Sequence, residues 1–397
     1  MRALTLTALA IPVVLWCACI SPNASEKSPL AVPVWTTTLG DARIKDLMPT
    51  GARLLIRAAY TKLVSLDPAS GRAYWDKTLP IVSRFRQDGK LHDAYFTEEV
   101  LYAGGRLYFL GQDERVHVLD DKSGAELGHS APVFSLLGVT ENAVYVLDAA
   151  RRLTELDALG HVTMQTSVEG TEAARLEISG DRLILRCPTC SLPIRVLDRS
   201  ARPLWSCSLA DLVAATVTAD SNQLYVFIGQ EHREIVSFDL STGHELWRSN
   251  LSVSKGMNAQ PLLLVDGQSA DSPLYVAVAD SGSQEQYLLI FDRRSGQQES
   301  KLRLPWDTSA LDGRAVIVRH TLFMTQTKLH SILESFDSGT MDSRLHALDI
   351  GTGKELWHSA WRFEVLDTPV VYRDMMYVAS WGQYKNPSCV QAFRIVN

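Results

Sequence analysis

The sequence predicts an all-β fold, specifically an eight-bladed β-propeller with four antiparallel strands in each blade. Two observations lead to this class. A unit of strand, tight turn and strand recurs along the 397 residues, and further short strands with alternating apolar residues lie between its copies. A closed ring of such units counts as one domain even at this length. We therefore expect a single propeller domain over residues 33–397.

Three copies of the unit are nearly complete and locate its fixed positions. They run over 63–75, 235–247 and 345–357, and each contains Asp-x-x-Ser/Thr-Gly before a Trp. Partial copies keep only some of these positions. The docking motif predicted from all copies consists of Trp35, Asp67, Gly71, Trp75, Asp120, Gly124, Trp205, Asp239, Gly243, Trp247, Asp292, Gly296, Asp349, Gly353 and Trp357.

Each residue type in the unit has a physical role. Asp hydrogen-bonds backbone amides two residues further on, and Gly accepts the positive φ that a tight turn requires. The chain then reverses into a strand whose Trp has a large flat surface for packing against the adjacent blade. The motif is therefore predicted to be structural, and we expect no catalytic residues within it.

The spacing of the copies suits one blade each. With Arg394 taken as the last marker, the Asp positions are 67, 120, 157, 198, 239, 292, 349 and 394, which lie 37 to 57 residues apart. Periods of this size fit a four-stranded blade with loops of variable length.

The two ends of the domain are each half a blade. Residues 34–39 read as an outer strand without a preceding partner, and 390–395 as an inner strand with no outer strand after it. Pairing the two closes the ring and removes an open edge, which gives eight blades. Seven blades remain the alternative if the degenerate copy at 153–160 has another structure.

The N-terminus predicts export. Arg2 precedes an apolar run over 8–19, which is too short to span a membrane and suits a signal peptide. The arrangement resembles a bacterial lipoprotein signal, with residues 1–18 as the signal peptide, Cys19 as the lipid attachment site and 19–32 as a flexible tether. Cleavage and release into the periplasm without a lipid is the alternative.

Composition excludes some partners and leaves one cysteine motif to interpret. The net charge is −6 and no Lys/Arg run is present, so nucleic acid is not an expected partner.

Cys187 and Cys190 lie in a predicted loop between strands, where an oxidising compartment favours a local disulfide. Free or metal-bound thiols remain open there. The ten His residues form no metal-ligand pattern, so no metal site is predicted.

Three long inserts are the candidates for partner contact, because loops held by a rigid ring commonly carry binding residues. They cover 79–99, 250–272 and 305–344. Exposed aromatic and Arg side chains are typical interface anchors, and the first insert contains both. That these segments are only variable loops is the alternative.

The repeat resembles the tryptophan-docking repeat of pyrroloquinoline-quinone propellers, and the copy over 347–357 shows this most fully as Ala-x-Asp-x-x-Thr-Gly-Lys-x-x-Trp. Within that superfamily, the propeller region and the signal peptide together resemble BamB-type lipoproteins of the outer-membrane β-barrel assembly machinery. The resemblance implies a quinoprotein-like propeller fold. It is less specific for function, because many exported propellers share this repeat.

Two function classes follow from the resemblance. In the dehydrogenases the quinone lies beside Ca²⁺ under a disulfide of adjacent cysteines, and this chain has no adjacent Cys pair. BamB-like proteins imply a non-catalytic scaffold without a cofactor, which binds protein partners and is held at the membrane by its lipid. We expect the scaffold, with the outer membrane favoured because no Asp follows Cys19. A dehydrogenase-like enzyme or a ligand-sensing propeller of another envelope complex is the alternative.

Overall fold

The computed structural model shows an all-β chain of antiparallel sheets. The part of the chain that it describes contains no helix able to cross a membrane. The described residues are 31–40, 44–58, 62–79, 83–87, 90–94, 100–167, 175–186, 193–207, 217–228, 234–251, 262–265, 272–280, 285–304, 315–329, 341–359, 364–366, 369–382 and 387–396.

Five of the sheets in these residues have four strands each, in simple up-and-down order. Unit 1 contains β2 (Ile44–Pro49), β3 (Leu54–Ala58), β4 (Lys62–Leu66) and β5 (Ala73–Thr78). Unit 4 contains β15 (Arg175–Ser179), β16 (Arg182–Arg186), β17 (Ile194–Asp198) and β18 (Pro203–Cys207). Unit 5 contains β19 (Val217–Ala219), β20 (Gln223–Ile228), β21 (Glu234–Asp239) and β22 (Glu245–Asn250). Unit 6 contains β23 (Leu262–Val265), β24 (Leu274–Asp280), β25 (Glu285–Phe291) and β26 (Gln298–Arg303). Unit 7 contains β27 (Ala315–Val318), β28 (Thr321–Leu329), β29 (Met341–Asp349) and β30 (Glu355–His358).

A seven-stranded sheet departs from the expected four strands. It contains β8 (Leu101–Ala103), β9 (Arg106–Leu110), β10 (Arg115–Asp120), β11 (Glu126–Val139), β12 (Ala143–Asp148), β13 (Leu153–Asp157) and β14 (Val162–Thr166). β11 is the cause, since it stays extended for 14 residues and pairs with β10 through its first half and β12 through its second. Residues 126–139 contain no Asp-Gly turn that would separate the halves. We name β8–β10 with the first half of β11 unit 2, and the remainder unit 3.

The terminal unit joins the two ends of the described chain. It contains β31 (Glu364–Leu366), β32 (Val370–Tyr372), β33 (Met375–Gly382), β34 (Cys389–Ile395) and β1 (Ala31–Thr38). β1 pairs antiparallel with β34, and Trp35 lies opposite Ala392. A separate hairpin of β6 (Ser83–Gln87) and β7 (Lys90–Ala94) lies within the first long insert.

The core lies between consecutive units rather than within one. Leu55 and Leu63 of unit 1 pack with Leu107 and Phe109 of unit 2, and each hydrophobic cluster likewise combines residues from two consecutive units. One cluster joins the terminal unit to unit 1. Burial of apolar surface stabilises a fold by about 25 cal/mol for each Å², so these contacts are the main stabilising term.

The second strand of several units carries a fully buried tyrosine. Tyr108, Tyr145, Tyr225 and Tyr377 are each at most 1% exposed. A large ring at this position fills the space between two sheets. The third and fourth strands are offset by a bulge at the same place in all of units 1 to 7, just before the motif Asp. This repeated bulge orients each turn in the same way.

Candidate functional site

Four motif tryptophans bind the turn of the following unit. In each case the indole N–H donates to the carbonyl oxygen of the residue directly after a motif Asp. The four bonds are Trp35 to Pro68 (3.0 Å), Trp75 to Asp121 (3.1 Å), Trp205 to Leu240 (3.0 Å) and Trp247 to Arg293 (2.9 Å). The first of these runs from the terminal unit to unit 1.

The motif glycine of the turn lies directly under each of these indoles. Gly71, Gly124, Gly243 and Gly296 have φ between 67° and 73°. A Cβ atom at these positions would lie 2.3 to 2.9 Å from an indole carbon. Glycine is therefore required twice, by the backbone conformation and by the space under the ring.

The motif aspartates hold the turns in shape. The Asp67 carboxylate accepts hydrogen bonds from the amides of Ala69 and Ser70, both at 2.8 Å. At Asp239 and Asp349 the hydroxyl three residues further on also donates to the carboxylate. These hydroxyl and amide donors keep the pKa of both carboxyls below the usual range.

Trp357 makes a different contact from the four bound indoles. Its ring packs edge-on against Phe393 of the terminal unit, with 6.3 Å between the ring centroids. Gly353 of its own turn has φ +68°, and the nearest side chain to a Cβ there would be Leu302 at 3.5 Å. Unit 6 thus contacts unit 7 through a leucine instead of an indole.

Units 2, 3 and 4 meet without any tryptophan. At the boundary of units 2 and 3, a Cβ on Gly160 would lie 2.9 Å from the Ser130 amide nitrogen. Between units 3 and 4, Met164 packs on a cluster that includes Ala201. Ala201 has φ +55° where the fuller copies have glycine. A close backbone approach at one boundary and a methionine at the other thus replace the indole here.

A buried ion pair joins unit 6 to unit 5, and sequence reasoning missed it. The Arg293 guanidinium forms an ion pair with Asp220, while its Nε donates to the Tyr225 hydroxyl at 3.1 Å. Burial raises the pKa of the Asp220 carboxyl, but the amide of Asn222, the Tyr225 hydroxyl and Arg293 outweigh it and leave that pKa lowered. The feature of the sequence that could have indicated this ion pair is the arginine immediately after motif Asp292.

Units 2 and 7 carry the same His–Glu–His arrangement. His117 Nδ1 lies 2.9 Å from Glu126, and His129 lies directly across the strand pair from His117. In unit 7, His346 Nδ1 lies 2.6 Å from Glu355, whose carboxylate is 3.1 Å from His358. Burial lowers the pKa of His346. Both groups tie the third strand of a unit to its outer strand.

The outer-strand position of His129 and His358 carries a charged residue in two other units, Asp76 in unit 1 and Arg248 in unit 5. Lys62 and Asp76 form an ion pair of 2.9 Å in unit 1, and Arg248 pairs with Glu234 at 2.6 Å in unit 5. These ion pairs use a third-strand residue two positions before the one that the histidines occupy, so polar contacts join the third and outer strands at different positions in different units. Across the described ranges, no group of three or more His, Cys, Asp or Glu side chains is arranged to hold a metal ion.

One cavity of about 370 Å³ lies where the terminal unit meets unit 1. Leu39, Val64 and Trp75 form part of its apolar lining, and the ion-paired Lys62 and Asp76 line it as well. It is a cleft with both apolar and polar lining residues between β1 and strands β4 and β5.

Several predicted positions lie outside the described residues. These are Cys19, Cys187 and Cys190, the whole of 1–30, and, in the three long inserts, 80–82, 88–89, 95–99, 252–261, 266–271, 305–314 and 330–340. Within the third insert, β27, β28 and the start of β29 belong to unit 7.

Antiparallel units joined through indoles and turns place the protein in the class of tryptophan-docked β-propellers. A sequence model for the family described as outer membrane protein assembly factor BamB matches residues 33–127, 112–338 and 284–394. The chain belongs to this family. No curated protein sequence matches it significantly.

Solved structures show the same fold at low sequence identity. BamB from Moraxella catarrhalis is 14% identical with a TM-score of 0.52, and the match covers 92% of this chain and 99% of that one. The computationally designed Ika8 protein is 14% identical with a TM-score of 0.60, covering 92% and 100%. The WD40 domain of SCAP from fission yeast is 10% identical with a TM-score of 0.54, covering 92% and 98%. These structures support the propeller fold. At this level of sequence identity a shared fold does not indicate a shared function.

The glycine under an indole should tolerate no side chain. We expect Gly296→Ala to lower the free energy of unfolding by about 3 kcal/mol, from positive-φ strain and overpacking against Trp247. Gly40→Ala is the matched control, because its φ is +74° but a Cβ there meets nothing within 4 Å. It should cost only about 1 kcal/mol. Urea denaturation of both variants measures this, and equal losses would contradict the role of the indole.

Acid should weaken the turn of unit 3 through Asp157. Amide and side-chain hydrogen bonds from His161 lower the pKa of Asp157 to about 2, below its ordinary 3.8. A lowered carboxyl pKa stabilises the fold above the ordinary pKa, and that contribution disappears as the pH falls toward the folded value. Wild type should therefore exceed Asp157→Asn in stability at pH 5, and the difference should shrink between pH 4 and 2. Urea midpoints across this range measure it, and a constant difference would refute the assignment.

Proposed function

We propose that the protein is a non-catalytic scaffold of the cell envelope that acts in the assembly of outer-membrane β-barrel proteins. The observation that carries this proposal is the family match over residues 33–394, which spans every described unit of the propeller from Pro33 onward. A rigid set of units presenting loops is suited to holding protein partners. The partners proposed are other components of the assembly machinery.

We propose further that the units close into an eight-bladed ring. The support is that each hydrophobic cluster spans consecutive units, and that the terminal unit contacts both unit 7 and unit 1. The bond from Trp35 to Pro68 belongs to the second of these contacts. Two-dimensional class averages of the purified protein test the count. Eight-fold images are expected, and seven-fold images would overturn it.

The N-terminal segment is proposed to anchor the scaffold. Residues 1–18 would be removed as a signal peptide, Cys19 would carry the lipid, and 19–32 would be a tether to the propeller domain over 33–397. The outer membrane is the proposed location, and the Cys187–Cys190 pair is proposed to be a disulfide in that oxidising compartment. A lipid with a tether holds a domain beside a membrane without spanning it.

Affinity purification from membranes tests the function directly. The tagged full chain should recover components of the β-barrel assembly machinery, identified by mass spectrometry. Cys19→Ala keeps the propeller intact. This variant should shift from the membrane to the soluble fraction, and its purification should recover at least tenfold less of the assembly components than wild type does. Recovery of no assembly component by the wild-type chain would overturn the proposed function. Unchanged membrane association of Cys19→Ala would overturn the lipid anchor alone.

A further inference from the structure

β14 is an outer strand, and one of its edges pairs with no other strand of the described residues. It is the last strand of the seven-stranded sheet, and its only partner within the described ranges is β13. Every second residue of such a strand directs its backbone N–H and C=O groups away from the sheet. A row of these groups is a template for pairing with another extended chain.

The other outermost strands carry features that discourage such pairing. Charged side chains or proline interrupt an edge and oppose the addition of a strand. The protecting residues are Asp76 and Lys77 on β5, Glu126 on β11, Glu245 and Arg248 on β22, Lys301 and Arg303 on β26, Glu355 on β30, Pro203 on β18 and Pro33 on β1. β14 reads Val-Thr-Met-Gln-Thr and has neither a charge nor a proline.

The same edge exposes apolar side chains. Val162, at the start of β14, is 58% exposed, the highest value among the large exposed hydrophobic residues described. Leu159 in the preceding turn and Leu127 on β11 are 44% and 46% exposed. They belong to neighbouring segments, because a Cβ on Gly128 would lie 3.2 Å from the Leu159 carbonyl oxygen. Apolar residues at a strand edge give an incoming chain side-chain contacts in addition to hydrogen bonds.

The strand is also held in place. The Thr163 hydroxyl donates to Glu155 and the Gln165 amide to Asp148 of the neighbouring strands. Met164 packs into the cluster between units 3 and 4. An edge fixed in this way needs little ordering when another strand pairs with it.

We infer that the outer edge of β14 binds an extended, uncharged β-strand of a protein partner. The inference rests on the proposed function, and it specifies how the scaffold holds a component of the assembly machinery. Backbone hydrogen bonds supply the pairing, and an apolar side chain of the incoming strand packs beside Val162 and Leu159. An extended chain is the occupant that satisfies a row of strand-edge donors and acceptors.

The test introduces a charge at this edge. Val162→Lys in the tagged full-length chain should reduce recovery of assembly components from membranes at least tenfold, because a lysine at the edge opposes strand pairing. Val162→Thr keeps an uncharged β-branched residue and should stay within twofold of wild type. Leu204→Lys is the matched control, since Leu204 is an exposed apolar residue of the outer strand β18, which begins at Pro203. It should also stay within twofold.

Hydrogen exchange distinguishes strand pairing from a general contact. In the recovered complex, amides of β14 should exchange at least tenfold more slowly than in the free protein, while those of β18 should not change. Unchanged recovery with Val162→Lys, or unchanged β14 exchange in the wild-type complex, would overturn the inference and leave the proposed function intact. A wild-type chain that recovers no assembly component would overturn both.

Discussion

An indole lying on the glycine turn of the next unit is the contact on which the rest of the structure depends. The turn presents a flat surface to the indole ring because glycine has no Cβ. The carboxylate of the motif Asp fixes the amides of this turn. The carbonyl after that Asp is left to accept the indole N–H, as in the bond from Trp247 to Arg293. One short motif therefore specifies a local turn and also the junction between two units.

The junctions without an indole show how that requirement is met in other ways. Close backbone approach at Gly160, and Met164 beside Ala201, bring units 2, 3 and 4 together with smaller groups. These units contain the continuous strand β11 and end at β14. The part of the propeller that has departed furthest from the repeat thus also contains β14, an outer strand with neither a charged residue nor a proline.

Polar contacts add specificity to this apolar framework. Asp220, Tyr225 and Arg293 form a buried group across two units, and a buried charge is tolerated only where it is paired. The His–Glu–His groups of units 2 and 7, like the ion pairs of units 1 and 5, join the third strand of a unit to its outer strand. Such groups hold neighbouring strands in register and are suited to a rigid platform. A platform of this kind matches the family to which the chain belongs.

The sequence by itself determined the all-β class, the repeat and the turn chemistry, because Asp, Gly and Trp act over a few residues and their spacing is visible directly. It also indicated the pairing of β1 with β34, since two incomplete ends complement each other. Tertiary structure alone decided which carbonyl each indole meets, that β11 runs unbroken between two units, and that Arg293 reaches Asp220, 73 positions away. These features depend on how units pack in space, and packing between distant segments leaves no periodic trace in a single sequence.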